Sequence, residues 1–141
     1  MEIDELINLL YQLKLSDLNV TELFKAQTGF NLTRYVLLLY LKKHGQTTQT
    51  EIQKELQINS SAVSRHLKDL EHEGYVLRTR NPDNNREVRV SLTASAQEKV
   101  AHCGHTPEDK VMLELFNAKF TPAEVKTLSD LLQRLSDLKI K

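Results

Sequence analysis

The sequence has little that would suit an oxidising compartment or a membrane. Its single cysteine, Cys103, excludes an intrachain disulfide and suits a reducing environment. It lacks an apolar run long enough to span a bilayer, and its N-terminal residues do not follow the pattern of a signal peptide. We therefore expect a cytoplasmic, globular protein that has no membrane partner.

The sequence also lacks the motifs of common enzyme sites. It has no Gly-rich phosphate loop, no Gly-x-Ser-x-Gly elbow and no His-Glu-x-x-His pair. The neighbouring carboxylates Glu108 and Asp109 fit the start of a helix, where the helix dipole favours negative charge. We expect no enzymatic activity and no bound cofactor.

An excess of one charge is absent as well, because 19 basic and 19 acidic residues give a net charge of zero. This balance argues against a globally basic, nonspecific nucleic-acid binder. A sequence-specific binder needs only a local basic surface. The basic residues between Asn59 and Val90 can supply one: Arg65, Lys68, Arg78, Arg80, Arg86 and Arg89.

The segment from Thr48 to Leu56 has the signals of a short helix. Thr48 and Glu51 form a capping box that predicts a helix from Gln49. Ile52 and Leu56 give this helix one apolar stripe. A two-residue turn follows.

A second helix is predicted from Ser60, because Asn59 is a good N-cap, and it ends before Gly74. Apolar residues at helical spacing are expected to face inward: Val63, Leu67 and Leu70. Polar residues are expected on the opposite side: Ser60, Ser61, Ser64, Arg65 and Lys68. His66 can either contact whatever molecule binds this polar face or lie beside the face without contacting that molecule.

After Gly74 the apolar period changes from helical to two, which predicts a β-hairpin. Residues 81–85, rich in Asn with one Pro and one Asp, are expected to form its turn. On the return strand Val88, Val90 and Leu92 should face inward, and Arg89 should face outward. Two helices and a basic hairpin are the layout of a winged helix-turn-helix, in which the second helix, the recognition helix, enters the DNA major groove. The predicted fold class is mainly α with a small β wing.

The flanking segments read as amphipathic helices. Residues 1–28 carry Ile and Leu at helical spacing, and Ser16-Asp17 can interrupt them. Helix starts are also predicted at Asn31, at Thr106-Pro107 and at the capping box Thr121–Glu124, and Ala94 to about Cys103 should be helical. The terminal helices hold more apolar surface than a small winged domain can cover. We therefore assign residues 1–30 and 104–141 to a dimerisation region and residues 31–103 to the DNA-binding domain.

At these residues the chain resembles the MarR (multiple-antibiotic-resistance regulator) family of bacterial transcription regulators over nearly its whole length. The most specific segment is 60–75, SSAVSRHLKDLEHEGY, followed by Arg86, Val90 and Ser91-Leu92-Thr93 at the wing and its exit. The chain departs from the family at two positions. Asn84 stands where an Asp usually precedes the wing-tip Arg, and Ala96 stands where a Gly usually follows Leu-Thr.

The resemblance implies a homodimer that binds a palindromic operator in double-stranded DNA, most simply a repressor modulated by a small-molecule effector. Arg65 and Ser61 are the candidates for base contacts, and Arg86 should reach the minor groove. The complete set of expected DNA-binding residues is Ser60, Ser61, Ser64, Arg65, Lys68, Arg78, Arg86 and Arg89.

Two alternatives remain open from the sequence. The winged domain could contact a protein and leave its basic wing unused. The junction of His102, Cys103 and His105 could instead bind a metal or sense oxidation, because imidazole and thiolate groups are ligands that zinc accepts. Since adjacent residues rarely converge on one ion, we assign no metal site.

Overall fold

The computed structural model describes residues 1–140, except for the side chain of Asn85. Lys141, the last residue of the expected dimerisation region, lies outside this range. The first element is helix α1 (Ile3–Thr28), which ends where Gly29 adopts a left-handed conformation with φ +80°. No interruption occurs at Ser16-Asp17, because the Ser16 hydroxyl donates to the Gln12 carbonyl at 2.8 Å and is satisfied within the helix.

The remaining elements follow the order expected for a winged helix-turn-helix. They are α2 (Leu32–His44), β1 (Thr47–Thr48), α3 (Gln49–Leu56), α4 (Ser60–His72), β2 (Val76–Asn81), β3 (Asn84–Leu92), α5 (Ala94–Val100), α6 (Pro107–Lys119) and α7 (Pro122–Ser136).

The helix starts predicted from capping residues are confirmed. Each predicted cap accepts a hydrogen bond from a backbone N–H in the first turn of its helix. These caps are Asn31, Thr48, Asn59, Thr106 and Thr121. Helix α5 is shorter than predicted, because it ends at Val100 and turns occupy the residues up to Gly104.

The sheet has three antiparallel strands in the order β1-β3-β2, where the sequence predicted only the hairpin. In the additional strand, Thr47 pairs with Val90 and Thr48 pairs with Arg89. The predicted turn over residues 81–85 was too long. The strands continue to Asn81 and resume at Asn84, so only Pro82 and Asp83 form the turn.

The hydrophobic core lies within the winged domain. Helix α2 contributes four buried apolar side chains, more than any other described element, and α3, α4, α5 and the sheet supply others. The fully buried aliphatic side chains include Leu37, Leu38, Leu41, Ile52, Val63, Leu67, Leu70 and Val90. Tyr35 joins this core to α1 through an edge-on contact with Phe24, with ring centroids 5.2 Å apart.

The terminal helices are apolar on one face but uncovered. Helices α1, α6 and α7 contain no buried residue in the single chain. Large apolar side chains such as Leu10, Leu113 and Leu131 are about half exposed. Among the residues described, no helix is long and apolar enough to cross a membrane.

Candidate nucleic-acid interface

Helix α4 has one buried face and one polar face. Val63, Leu67 and Leu70 are fully buried, as their helical spacing predicts. The five polar side chains predicted to contact DNA are all exposed on the other side: Ser60, Ser61, Ser64, Arg65 and Lys68. The helix therefore presents a continuous row of hydrogen-bonding groups with two cations and no carboxylate.

Two of the serines in this row are already held in place. The Ser61 hydroxyl donates to the Asn59 side-chain oxygen at 2.9 Å, which leaves the Ser61 oxygen free to accept. Ser64 accepts from the side-chain amide nitrogen of Gln49 on α3 at 3.0 Å. The Gln49 amide oxygen is buried and has no hydrogen-bond partner among the described residues.

Gln49 is part of this surface, although the sequence indicated only its place at the start of α3, through the Thr48 cap. A polar side chain at the first position of that helix is the signal that could have indicated it, because the start of α3 crosses α4 in a helix-turn-helix.

The tip of the wing is organised by asparagines. The Asn84 side-chain oxygen accepts the Arg86 backbone N–H at 3.1 Å, and the Asn81 oxygen accepts the Asp83 N–H at 3.0 Å. Among the ion pairs of the described residues, none joins the Arg86 guanidinium to Asp83. Arg86 is exposed and available to an external anion.

The other two predicted wing arginines have carboxylate partners. The Arg78 guanidinium lies 3.2 Å from Glu71 on α4, and the same carboxylate accepts the Arg78 backbone N–H. Arg89 lies 3.7 Å from Glu87 within β3. Arg78 therefore ties the wing to the recognition helix, a contact that the sequence did not predict.

The surface thus combines the exposed polar face of α4 with a hairpin that is tied to the end of this helix and has an exposed arginine at its tip. A family model described as the MarR family matches residues 30–88. The chain is also 35% identical over 127 residues to the HTH-type transcriptional regulator YdgJ of Bacillus subtilis, spanning 90% of this chain and 76% of that protein. The chain belongs to the MarR family.

Further comparisons agree with this family. The multiple antibiotic resistance protein MarR of Salmonella typhimurium is 27% identical over 134 residues, which cover 95% of this chain and 92% of that protein. A mutant MarR from E. coli complexed with operator DNA has the same fold, with a TM-score of 0.78, 24% identity and coverage of 96% and 99%. The predicted winged helix-turn-helix is confirmed. Because the relatives are transcriptional regulators, the expectation that the chain is not an enzyme is confirmed as well.

In this MarR-family chain the far end of α4 is held by Arg34 of α2. The Arg34 guanidinium pairs with Asp69, lies 3.5 Å from Glu73, and its Nε donates to His66 Nδ1 at 3.4 Å. His66 is only 9% exposed, so it lies beside the polar face instead of on it. Burial, together with the nearby charges of Arg34 and Arg65, lowers the pKa of His66.

We expect this histidine to make folding stability depend on pH. The unfolded chain binds a proton at His66 below about pH 6.5, whereas the folded chain does so only at lower pH. Stability from this site is therefore fully present above that value and is lost as the pH falls. The thermal midpoint should fall less on acidification in His66→Asn, which keeps an acceptor for Arg34 without titrating.

His44→Asn, at an exposed histidine of α2, is the matched control for this measurement. Equal slopes for the unaltered protein and His66→Asn would show that His66 does not titrate differently on folding.

The residues of the junction that the sequence left open as a metal or redox site do not converge. Cys103 points into the core and is 7% exposed, whereas His102 and His105 are exposed. No group of three His, Cys, Asp or Glu side chains within the described residues is arranged to hold a metal ion. Burial raises the pKa of the Cys103 thiol, which disfavours the reactive thiolate. The structure therefore gives no support to metal or thiol sensing at this junction.

A cavity of about 480 Å³ lies between α1 and the start of α6. Its walls are mainly apolar, and the polar lining side chains are one carboxylate, one amine and one imidazole. The lining residues include Phe24, His105, Asp109, Lys110, Met112 and Phe116. It adjoins the junction between the winged domain and the terminal helices.

Proposed function

We propose that the chain is a homodimeric, sequence-specific DNA-binding repressor that acts in the cytoplasm and is modulated by a small ligand. The observation that carries this proposal is the exposed polar row of α4, on the helix to which Arg78 ties the basic wing, in a chain related to transcriptional regulators. Each finer part of the proposal has its own support.

Helix α4 is proposed to enter the major groove, where Arg65 and Ser61 contact base edges and Ser60, Ser64 and Lys68 contact bases or phosphates. Arginine suits guanine edges because it can donate two parallel hydrogen bonds. The mutant MarR from E. coli that shares this fold is complexed with operator DNA, which supports DNA as the partner of this chain.

In the wing, Arg86 is proposed to enter the minor groove and Arg89 to lie near phosphates. Arg78 is retained as a phosphate contact of lower weight, because Glu71 already neutralises its charge. The acidic residues late in α4 favour this division. Asp69 and Glu73 are turned toward Arg34, so they are not directed at the DNA.

The dimer is proposed to form through residues 1–30 and 104–141, with residues 31–103 as the DNA-binding domain. Support comes from the apolar faces of α1, α6 and α7, which a single chain leaves exposed. A second copy that covered them would also place two α4 helices on successive major grooves of a palindrome.

A small effector is proposed to occupy the cavity between α1 and α6. The volume suits a drug-sized molecule, and mainly apolar walls with a few polar groups are typical of such sites. Binding there would act on the junction that connects the two proposed regions.

The proposed function is tested with a DNA fragment that carries the promoter of the protein's own gene. Affinity should exceed that for scrambled DNA, and its logarithm should fall linearly with the logarithm of salt concentration, because Arg and Lys displace phosphate counterions. No preference for the fragment over scrambled DNA would contradict sequence-specific binding. A partner protein bound through α4 would then be the better interpretation.

We further expect Gln49 and Ser64 to act as one unit in DNA binding. Gln49 fixes the Ser64 hydroxyl, so Gln49→Ala should weaken operator binding about as much as Ser64→Ala. The affinity lost in the double variant should be smaller than the sum of the losses in the two single variants. Gln53→Ala on the same helix is the control and should bind normally. Additive losses measured by titration would show that the two residues act independently.

A further inference from the structure

Helix α2 carries two adjacent side chains that hold different parts of the molecule. Arg34 binds the far end of recognition helix α4, as described above. Tyr35, the next residue, reaches in another direction toward the start of α6. Among the described hydrogen bonds, no other pair of adjacent residues links α4 and α6 in this way.

The Tyr35 contact is a compact, partly buried network. Its hydroxyl donates to the Asp109 carboxylate at 2.7 Å and accepts the Gly104 backbone N–H at 2.7 Å. The same carboxylate oxygen accepts the Gly104 N–H at 2.9 Å and the Thr106 N–H at 3.0 Å. Asp109 thus caps α6 and binds the winged domain with one oxygen.

Protonation states favour this arrangement. Burial and the bond to Asp109 raise the pKa of Tyr35, so its hydroxyl remains a donor at neutral pH. Burial opposes ionisation of Asp109, but the hydrogen bonds from Tyr35, Thr106 and Gly104 outweigh it and lower the pKa of this carboxyl. A neutral donor to a charged acceptor makes a short, directional bond.

We propose that Tyr35 and Arg34 are positioning residues that fix recognition helix α4 relative to α6, and thereby set the half-site spacing that the dimer accepts. The inference depends on the proposed function, because spacing has meaning only for a DNA-binding dimer. The bond from Tyr35 to Asp109 fixes the angle between the winged domain and the dimerisation helices. The ion pairs of Arg34 fix α4 relative to α2, so α4 keeps the same orientation.

The cavity adjoins the bond between Tyr35 and Asp109. Gly104, His105 and Asp109 line it, and Phe24 stands between it and the Tyr35 ring. An occupant that displaced Asp109 would therefore alter the Tyr35 bond first.

The test uses the full-length protein and a set of duplexes in which the two operator half-sites are moved one or two base pairs closer together or farther apart. The unaltered protein should prefer one spacing by more than about tenfold, whereas Tyr35→Phe should reduce that preference to about threefold or less, because a charge-assisted bond is lost. Affinity for a duplex with a single half-site should stay the same, because the polar face of α4 is untouched.

Two further variants sharpen the test. Tyr40→Phe removes a hydroxyl from the same helix, where the ring packs on His44, and should keep the spacing preference. Arg34→Gln should flatten the preference as Tyr35→Phe does. Because α4 is fixed relative to α6 only when both contacts are present, the double variant should have a spacing preference no flatter than that of either single variant.

An unchanged spacing profile in Tyr35→Phe would overturn the inference, as would a loss of single-half-site affinity that accounts for the whole change. Failure of the unaltered protein to bind any spacing would overturn the proposed function as well. That outcome appears in a different arm of the experiment, so the two failures are distinguishable.

Discussion

Replacing Leu131 and Leu135 with aspartate is expected to convert the proposed dimer into a monomer. Both side chains lie on the apolar face of α7 and are 45% and 39% exposed in the single chain. An aspartate buried in an apolar seam loses its hydration without gaining a partner, which costs several kcal/mol. Two copies of each substitution would oppose every dimer, so sedimentation at micromolar concentration should show one chain.

The winged domain should survive this change, because its core lies in α2, α3, α4 and the sheet and has no buried residue from α7. Operator affinity should fall steeply, because a monomer occupies only one half-site. Ser129→Asp with Gln133→Asp adds the same charge to the opposite, polar side of α7 and should remain dimeric. A Leu131→Asp, Leu135→Asp protein that still sediments as a dimer would place the interface elsewhere.

The features that the sequence predicted well are those encoded locally. Caps such as Thr48 and Asn59 satisfy backbone groups within three residues, so their pattern can be identified without knowledge of the fold. The burial of Val63 and Leu67 follows from helical spacing in the same way. The exposed row from Ser60 to Lys68 occupies the side of α4 opposite these apolar residues. For this reason the polar face of the candidate site could be predicted from the sequence.

The features that the sequence missed depend on contacts between distant segments. Strand β1 consists of two residues and exists only because β3 offers an unpaired edge. Arg34 gave no signal, since its partners Asp69 and Glu73 are more than 30 residues away. The same holds for Tyr35, whose hydroxyl donates to Asp109, 74 residues further along the chain.

Arg78 and Arg86 are both expected DNA contacts from the sequence, because both are arginines of the wing, and Arg86 is expected at the minor groove. The fold separates them, because β2 brings Arg78 beside Glu71 whereas Arg86 stands at the exposed tip. This difference leads to a direct comparison of the two arginines.

Arg86→Ala is expected to weaken operator binding without destabilising the protein. Its guanidinium supports nothing in the described part of the fold, so the thermal midpoint should not move. Loss of one phosphate or groove contact should lower the slope of log affinity against log salt by about 1 and weaken binding across different operator sequences to a similar degree. Titration of labelled duplex at several salt concentrations measures both quantities.

Arg78→Ala removes the same charge from the same hairpin and should have the opposite profile. It leaves Glu71 without its cation and the Arg78 backbone N–H bond as the remaining tie between wing and α4, so the thermal midpoint should fall. Its salt slope should change less than that of Arg86→Ala, because Glu71 has already neutralised the charge. Arg86→Ala could leave affinity and salt slope unaltered while Arg78→Ala lowers both. In that case the wing contacts DNA through the part of its strands near α4, and the proposed role of its tip is wrong.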